Sequence, residues 1–541
     1  MLEYDTDLVS GTMLVAGEES AAPSVIYPLH VRGWHRISIG VYGEKYDGDT
    51  VVQVKLSGDP AFTALTFKEG PVRIVKDLFW KEADLTGQQI VIGQLHNTIR
   101  ENGQVREVRG RQAMIAYIKL EPLSDDEVRR LLADRARREN KRLFAHNDAH
   151  GFTYSFGAIT REEIGREIEP YRDTDFSRLY WEVGMGDLLF HLGKVGRLLT
   201  CDNVQNFHLA GARNHAECWR VMRDQGFNML PHAVEMAHAA GLEFHASYRM
   251  GGFRWPPPHD HWNGPGFYEQ HPELRSILRD GQPAQRISYS FPETRQFAVS
   301  LLREAAQHPI DGVCLIYVRR PPFVDYEPPV VEGFQREFGL DPRALPENDP
   351  RWLNHRCRFL TQFMREVREA MDAVAREQGR KRIGITAIIS SRQDENLAHA
   401  IQPADWVRDG LVDTLVPYTM APDLDSSAES WPDPRALDSW VKITKGTPCV
   451  LSPSVLPRFM SGEDFRRRAA ALYGAGAESL FFWDCAYRVN YYDQTMWNAI
   501  RRLGHKEEIA EWMQAGQPSL AAPTSVLTKL GGWNLADDTP G

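Results

Sequence analysis

The sequence predicts a multidomain chain, an N-terminal β-sandwich of the jelly-roll type followed by a (β/α)8 TIM barrel. Three observations carry this. Residues 10–124 hold short β-rich runs parted by Gly and Asp turn signals, residues 142–515 alternate strand-like apolar runs with helical stretches, and 541 residues exceed what one small domain uses. Hydrophobic residues at 42% and charged residues at 25% give a chain able to bury a sizeable core.

The N-terminal strands are read from SVIYPLHV, WHRISIGVYG, DTVVQVKLSG, ALTFKEG, QQIVIGQLH and QAMIAYIKLEPLS, in which Val, Ile and Tyr recur between turn residues and no long helical period appears. Residues 1–123 are therefore expected to form a β-sandwich accessory domain, most simply a structural cap. Residues 124–141 are charged and Arg-rich and read as a linker helix, and residues 516–541 as an extended Pro/Ser/Gly-rich tail.

Between them, residues 142–515 offer strands at 142–146, 178–181, 243–248, 312–318, 382–389, 414–417, 449–452 and 479–483. Leu353, Cys357, Leu360, Met364, Val367, Met371 and Val374 fall at alternating steps of four and three, which makes one apolar helix face to pack on the strands. Pro-rich stretches at 255–258 and 321–329 follow strands and read as loops over the barrel mouth.

Charge and cysteine usage exclude several classes. With 63 basic against 73 acidic residues, net −10, the chain has no general attraction for nucleic acid or anionic membrane. No apolar run of 18 residues and no signal-peptide pattern at the start are visible, which leaves a cytoplasmic protein or a secreted one whose leader is removed. The six cysteines have no CxxC spacing and read as buried thiols rather than a disulfide framework or zinc site. No cofactor motif is present, and oligomeric state is not legible.

Barrel enzymes carry their chemistry where the strands end. The first strand ends in His146, Asn147 and Asp148, with His150 just beyond. The second carries Trp181, Glu182 and Asp187, a carboxylate pair beside an aromatic wall. The third carries His245, Tyr248 and Arg249 and runs into a loop with Arg254, Trp255, His259, His261 and Trp262. Later strands add Arg392, Asp394, Tyr418, Trp483 and Asp484, with Arg488 further on. Aromatic faces flanked by Arg and His tips suit a polyhydroxylated ligand.

The fourth strand and its helix, TRQFAVSLLREAAQHPIDGVCLIYVRRPP, resemble family-10-like glycosyl hydrolases, whose pattern is roughly DGI-x-(Leu/Phe)-Asp-Tyr-x-Arg-Tyr-Pro. The resemblance implies a (β/α)8 barrel that cleaves glycosides. Tyr317, Arg319 and Pro321 match; the family's aspartate is Ile316 here, and Arg320 follows. Asp325 and Glu327 are the nearest replacement acids.

Glycoside cleavage needs two carboxyl groups across the bond. Asp148, Glu182, Asp187, Glu327 and Asp484 are the candidates, Glu327 or Asp187 as acid and Asp148 or Asp484 as base or nucleophile. The arginines suit an anionic sugar, uronic, sialic or sulfated. Two alternatives stay open: a non-catalytic glycan-binding barrel, favoured by Ile316, and a metal-dependent hydrolase or isomerase using His146, His150, His245, His259 and His261.

Overall fold

The computed structural model describes residues 1–541 except 19, 44–49, 68–72, 155–158, 210, 420–433, 459, 484–493 and 536–541. Eight apolar runs form parallel strands: Leu143–Asn147, Phe176–Met185, Glu243–Arg249, Gly312–Ile316, Gly384–Ser390, Thr414–Tyr418, Val450–Leu451 and Leu480–Trp483. Each pairs with the next from the first to the seventh, and the eighth pairs with the first. A parallel bridge between Ser454 and Phe481 joins the seventh to the eighth and closes the ring.

Side chains alternate across a strand, so register decides which residues line the ring interior. His146 is level with Tyr180 and Trp483, Glu182 with Ser247, and Ser247 with Cys314. A hydrogen bond across the ring, His146 Nε2 to Ser247 Oγ at 3.0 Å, puts this row inside. At the opposite end Arg178 reaches across to Thr414 Oγ1 at 3.0 Å and pairs with Glu243 at 2.8 Å.

Helices cover the outside. Pro350–Glu377 is the longest, and its predicted stripe is buried at Cys357, Leu360, Met364, Val367, Met371 and Val374, with Leu353 half-buried. Asp349 caps it by accepting from the Arg351 amide at 2.9 Å. The linker helix is shorter than the charged run suggests. It spans Asp125–Arg135, with Ser124 and Glu127 in a reciprocal capping box, and the chain then makes a 3-10 turn at Arg138–Asn140.

The N-terminal region is strand-rich, but its larger sheet is not built from N-terminal strands alone. Leu2–Thr6, Ser10–Ala16, Ala113–Pro122, Trp34–Gly43 and Ile74–Asp84 pair in that order, and Thr524–Leu530 bridges Ile74–Asp84 back to Leu2–Thr6. The segment read as an extended tail thus supplies the sixth strand of a closed antiparallel ring. A four-stranded sheet, Val25–Pro28, Gln89–Gln94, Thr50–Leu56 and Thr63–Phe67, packs Val52, Val54, Leu65 and Ile90 against Ile37, Ile39 and Leu78 of that ring. Tyr4, Met13, Tyr42, Val75 and Leu527 form a separate core.

Two features of this scaffold give measurable expectations. Gly312 sits where an added Cβ would lie 2.3 Å from the His245 ring. Gly312→Ala is therefore expected to cost about 1–3 kcal/mol through overpacking. An added Cβ would also lie 2.8 Å from the Gly384 carbonyl oxygen, so unchanged denaturation would show that both neighbours give way.

His505 is held between Asp175 Oδ2 at 2.7 Å and Asp134 Oδ1 at 2.9 Å, joining the linker helix to the second ring strand, with Arg502 and Glu508 beside it. Burial opposes protonation of the ring, yet hydrogen bonds and charge from Asp175, then Asp134, outweigh it and raise the pKa above the ordinary value. A raised histidine pKa stabilises fully below the unfolded value of about 6.5 and loses that effect as pH rises through the folded one. The melting-temperature advantage of wild type over His505→Gln should shrink between about pH 5.5 and 8.5. A constant or growing advantage would contradict the assignment.

Candidate functional site

The interior row at the carboxyl end of the ring converges on Arg249. Its Nη2 lies 2.8 Å from Asp148 Oδ1 and 2.9 Å from Glu182 Oε2. Glu182 is wholly buried, whereas the Asp148 side chain keeps 19% of its surface. Trp483 Nε1 donates to Asp148 Oδ1 at 3.0 Å, and His146 Nδ1 stands 3.4 Å from the same oxygen. Arg249, Trp483 and His146 thus gather on Oδ1 of a carboxylate that still keeps part of its surface exposed.

Electrostatics fix the charge states. Burial alone would raise the Asp148 carboxyl, but the Arg249 charge, then His146 and His150, drive it well below the usual carboxylate range. Asp148 is an anion. His146, fully enclosed, is pushed down to about 3 by burial, and His150 to about 4 for the same reason, so both rings are neutral near pH 7.

Aromatic groups and further arginines surround the anion. The His146 and Trp483 rings are 4.3 Å apart, and Tyr418 lies 5.0 Å from Trp483. The Arg319 guanidinium sits 4.8 Å over Trp483 and 5.8 Å over Tyr418, while Arg458 donates to the Tyr418 hydroxyl at 3.2 Å. Farther out on the rim, Arg320 lies 5.8 Å over Trp255, whose edge meets Trp262 at 5.0 Å.

Several residues predicted for this site stand elsewhere. Asn147, Trp181, Tyr248 and Tyr317 have the outward parity of their strands. Asn147 donates to Glu167 at 3.0 Å, and Trp181 packs against Phe152 and Phe244. Tyr248 donates to the carbonyls of Gly186 and Leu188, and Tyr317 to Met364 Sδ, against Phe323 and Trp406. His245 faces inward but lies near the opposite end, beside Glu243 and Tyr180.

Two predicted acids are loop anchors. Asp187 binds Arg197 at 3.0 Å and the Tyr268 amide at 3.4 Å, tying two loops together; burial raises its pKa. Glu327 accepts from Ser276 at 2.8 Å and from the Asp325 amide at 2.9 Å, and burial raises its pKa too. Their shifts come from enclosure, and neither contacts the Arg249 cluster. Asp394 is exposed and paired with Arg392, and Arg254 pairs with Glu269. Asp484 and Arg488 lie outside the described residues.

Sequence reasoning missed Ser247 and Arg458. Alternation along Glu243–Arg249 could have found Ser247, since it shares the face of Arg249; Arg458 follows the seventh strand in a loop with no chemical pattern to mark it.

Among the described residues one grouping, His146, Asp148 and Glu182, brings ligand-type atoms within 4.8 Å of one another. The place a cation would take between the two carboxylates is filled by the Arg249 guanidinium, so this donor set does not fit a metal as it stands. The other mouth histidines are spread along the rim, His150 against Phe190 and Trp262, and His259 stacked on Trp262. The described cysteines are all buried and none is in a disulfide. Burial pushes the thiols of Cys201, Cys218, Cys357 and Cys449 up to about 12, and that of Cys314 upward as well. No helix among the described residues is long and apolar enough to cross a membrane.

Residues 210–451 match the family model described as Glycosyl hydrolase-like 10, and the resemblance read at the fourth strand falls inside that segment. Arg249, Arg319 and Tyr418 lie within the match, while Asp148, Glu182, Arg458 and Trp483 lie outside it. Among solved structures, the glycoside hydrolase domain of PgaB (BpsB) from Bordetella bronchiseptica is 15% identical with a TM-score of 0.43, over 67% of this chain and 98% of that one. The α-galactosidase TtGalA from Thermus thermophilus is 12% identical with a TM-score of 0.34, over 92% and 95%. A GH26-CBM35 β-(1,4)-mannanase from Podospora anserina is 12% identical with a TM-score of 0.29, over 93% and 96%. No curated protein matches the chain by sequence.

Proposed function

We propose that the eight-stranded ring is a (β/α)8 barrel that hydrolyses a glycosidic bond, with Asp148 as its nucleophilic carboxylate and Glu182 holding Arg249 behind it. The observation that carries the reading is Asp148 itself, ionised, braced through Oδ1 by Arg249 and Trp483, and with 19% of its side-chain surface still exposed. The match of residues 210–451 to a glycosyl hydrolase-like family supports the reaction class. A carboxylate nucleophile at Asp148 makes the reaction a retaining one. Trp483 and Tyr418 hold Arg319 in place, and Arg319 with Arg458 favours a carboxylate- or sulfate-bearing sugar.

Azide tests the assignment. An Asp148→Gly enzyme on aryl glycosides should be inactive alone and recover turnover with azide, which occupies the vacated position and yields a glycosyl azide of inverted configuration. Full activity in the variant without azide would eliminate Asp148 as nucleophile.

The second reading is a glycan-binding barrel without turnover. Ile316 favours it, because it stands level with Arg249 on the inward face where the family pattern carries aspartate. Saturable glycan binding, no released sugar across a broad substrate panel and undiminished binding by Asp148→Asn would establish this alternative.

A further inference from the structure

A cavity of about 260 Å³ lies between the N-terminal strands and the eight-stranded ring; Asp173 on its wall precedes the start of the second ring strand, whose carboxyl end reaches the mouth. Trp34, Trp80 and Glu82 line it from the N-terminal side, and Asp173, Trp497 and Arg501 from the other. Most charged groups along its wall are matched. Lys81 holds Asp59 at 2.6 Å, Arg135 holds Asp173 at 3.2 Å and Glu82 at 3.6 Å, and Arg172 holds Glu169 at 2.8 Å.

Arg501 is the exception. Among the described residues no carboxylate comes within ion-pair distance of its guanidinium. Nη1 donates to the Trp80 carbonyl at a long 3.4 Å, and the group lies 4.9 Å over the Phe79 ring. Burial lowers its pKa to about 10, with Glu82 the nearest acid acting against that fall. Arg501 is half-buried and lines the cavity, and a guanidinium with no carboxylate partner among the described residues suits an anionic ligand there.

The rest of the lining narrows the ligand. Asp59, Glu82, Asp84, Glu169 and Asp173 outnumber Lys81, Arg135 and Arg172, so a polyanion would be repelled, while a single carboxylate could sit on Arg501. The surplus carboxylates and the Trp80 carbonyl can accept from hydroxyl groups, and the tryptophans supply apolar wall. The volume lies near the lower end of small-molecule pockets, roughly 300–1,000 Å³, which suits one ring rather than a chain. We propose that this cavity binds a single uronate residue, its carboxylate on Arg501 and its ring against Trp34 and Trp497. The site is separate from the mouth and does not depend on the catalytic reading.

Titration calorimetry of the full chain with D-glucuronate, D-glucose and sodium sulfate tests the proposal. Glucuronate should saturate a site in wild type and in Arg319→Gln, and bind at least about tenfold more weakly to Arg501→Gln. Glucose and sulfate should each bind at least about tenfold more weakly than glucuronate, since each lacks half of the recognition. Arg501→Lys should retain part of the affinity, and Trp34→Ala should reduce it. These two variants decide the matter if Arg501→Gln does not fold. Glucuronate binding that is absent from wild type, indifferent to Arg501 and Trp34, or lost in Arg319→Gln alone would overturn it. Sulfate binding as tight as glucuronate would reduce the cavity to an anion hole and overturn the sugar assignment.

Discussion

An Arg249→Met protein is expected to be less stable than wild type by about 3–5 kcal/mol, the usual consequence of removing one partner from a buried ionic group. One guanidinium nitrogen serves both Asp148 at 2.8 Å and Glu182 at 2.9 Å, and Glu182 has no exposed surface through which water could take over. Without the arginine, two carboxylates face each other within 4.8 Å in an enclosed space, and at least one must take up a proton. Denaturant unfolding measures the loss. Combining Arg249→Met with Glu182→Gln should recover part of it by removing one of the two stranded charges. A single variant as stable as wild type would mean that the carboxylates already share a proton, against the ionised state assigned to Asp148.

Asp148→Asn is expected to lower kcat/KM by about 10³-fold or more while leaving the protein folded, the scale of loss when a nucleophile is removed and only binding and electrostatic stabilisation remain. The amide can still accept from Trp483 and Arg249 through its oxygen, so the geometry survives and the chemistry does not. The pH profile adds a second check. Because Arg249 and the neighbouring histidines hold the Asp148 carboxyl well below the usual range, protonation of Asp148 should not limit kcat/KM near or above the ordinary aspartate value of about 3.9. An acidic limb higher than that must come from another group and should shift in Glu182→Gln. A limb that vanishes only in Asp148→Asn would contradict the depressed pKa.

The strands of the ring were legible because both faces of a parallel sheet are buried, which writes each strand as a continuous apolar run between turn signals. That same property hid the direction of the side chains. A run such as RLYWEV does not say whether Trp181 or Glu182 faces inward, since neither position is polar for the sake of solvent. Register decides it, and register depends on neighbours far along the chain. Asp148, Arg249 and Trp483, which the structure brings together, are legible as polar or amphipathic groups ending an apolar run; Trp181, Tyr248 and Tyr317 fall one step of alternation away, on the outward face. Asp187 and Glu327 look catalytic by composition but are absorbed by loop architecture, which only the partners Arg197 and Ser276 reveal.

In the N-terminal region the long strand Ile74–Asp84 escaped notice because Lys, Asp and Glu interrupt its pattern, although it is paired on both sides, by Trp34–Gly43 and Thr524–Leu530. The last of these was obscured by its surroundings, a Pro/Ser/Gly-rich stretch that reads as tail.

That strand has a consequence for the order of assembly. Ribosomal synthesis delivers Leu2–Thr6 first and Thr524–Leu530 near the end, yet the two are hydrogen-bonded neighbours. Leu2–Thr6 must wait with an open edge while the eight-stranded ring is translated, and the most sequence-distant strand pairing among the described residues is the one that completes it. Contacts of this span are slow to form and leave unpaired edges exposed to misassembly in the meantime. The eight-stranded ring is complete in sequence before Thr524–Leu530 is made, and the N-terminal ring closes only once that strand has emerged.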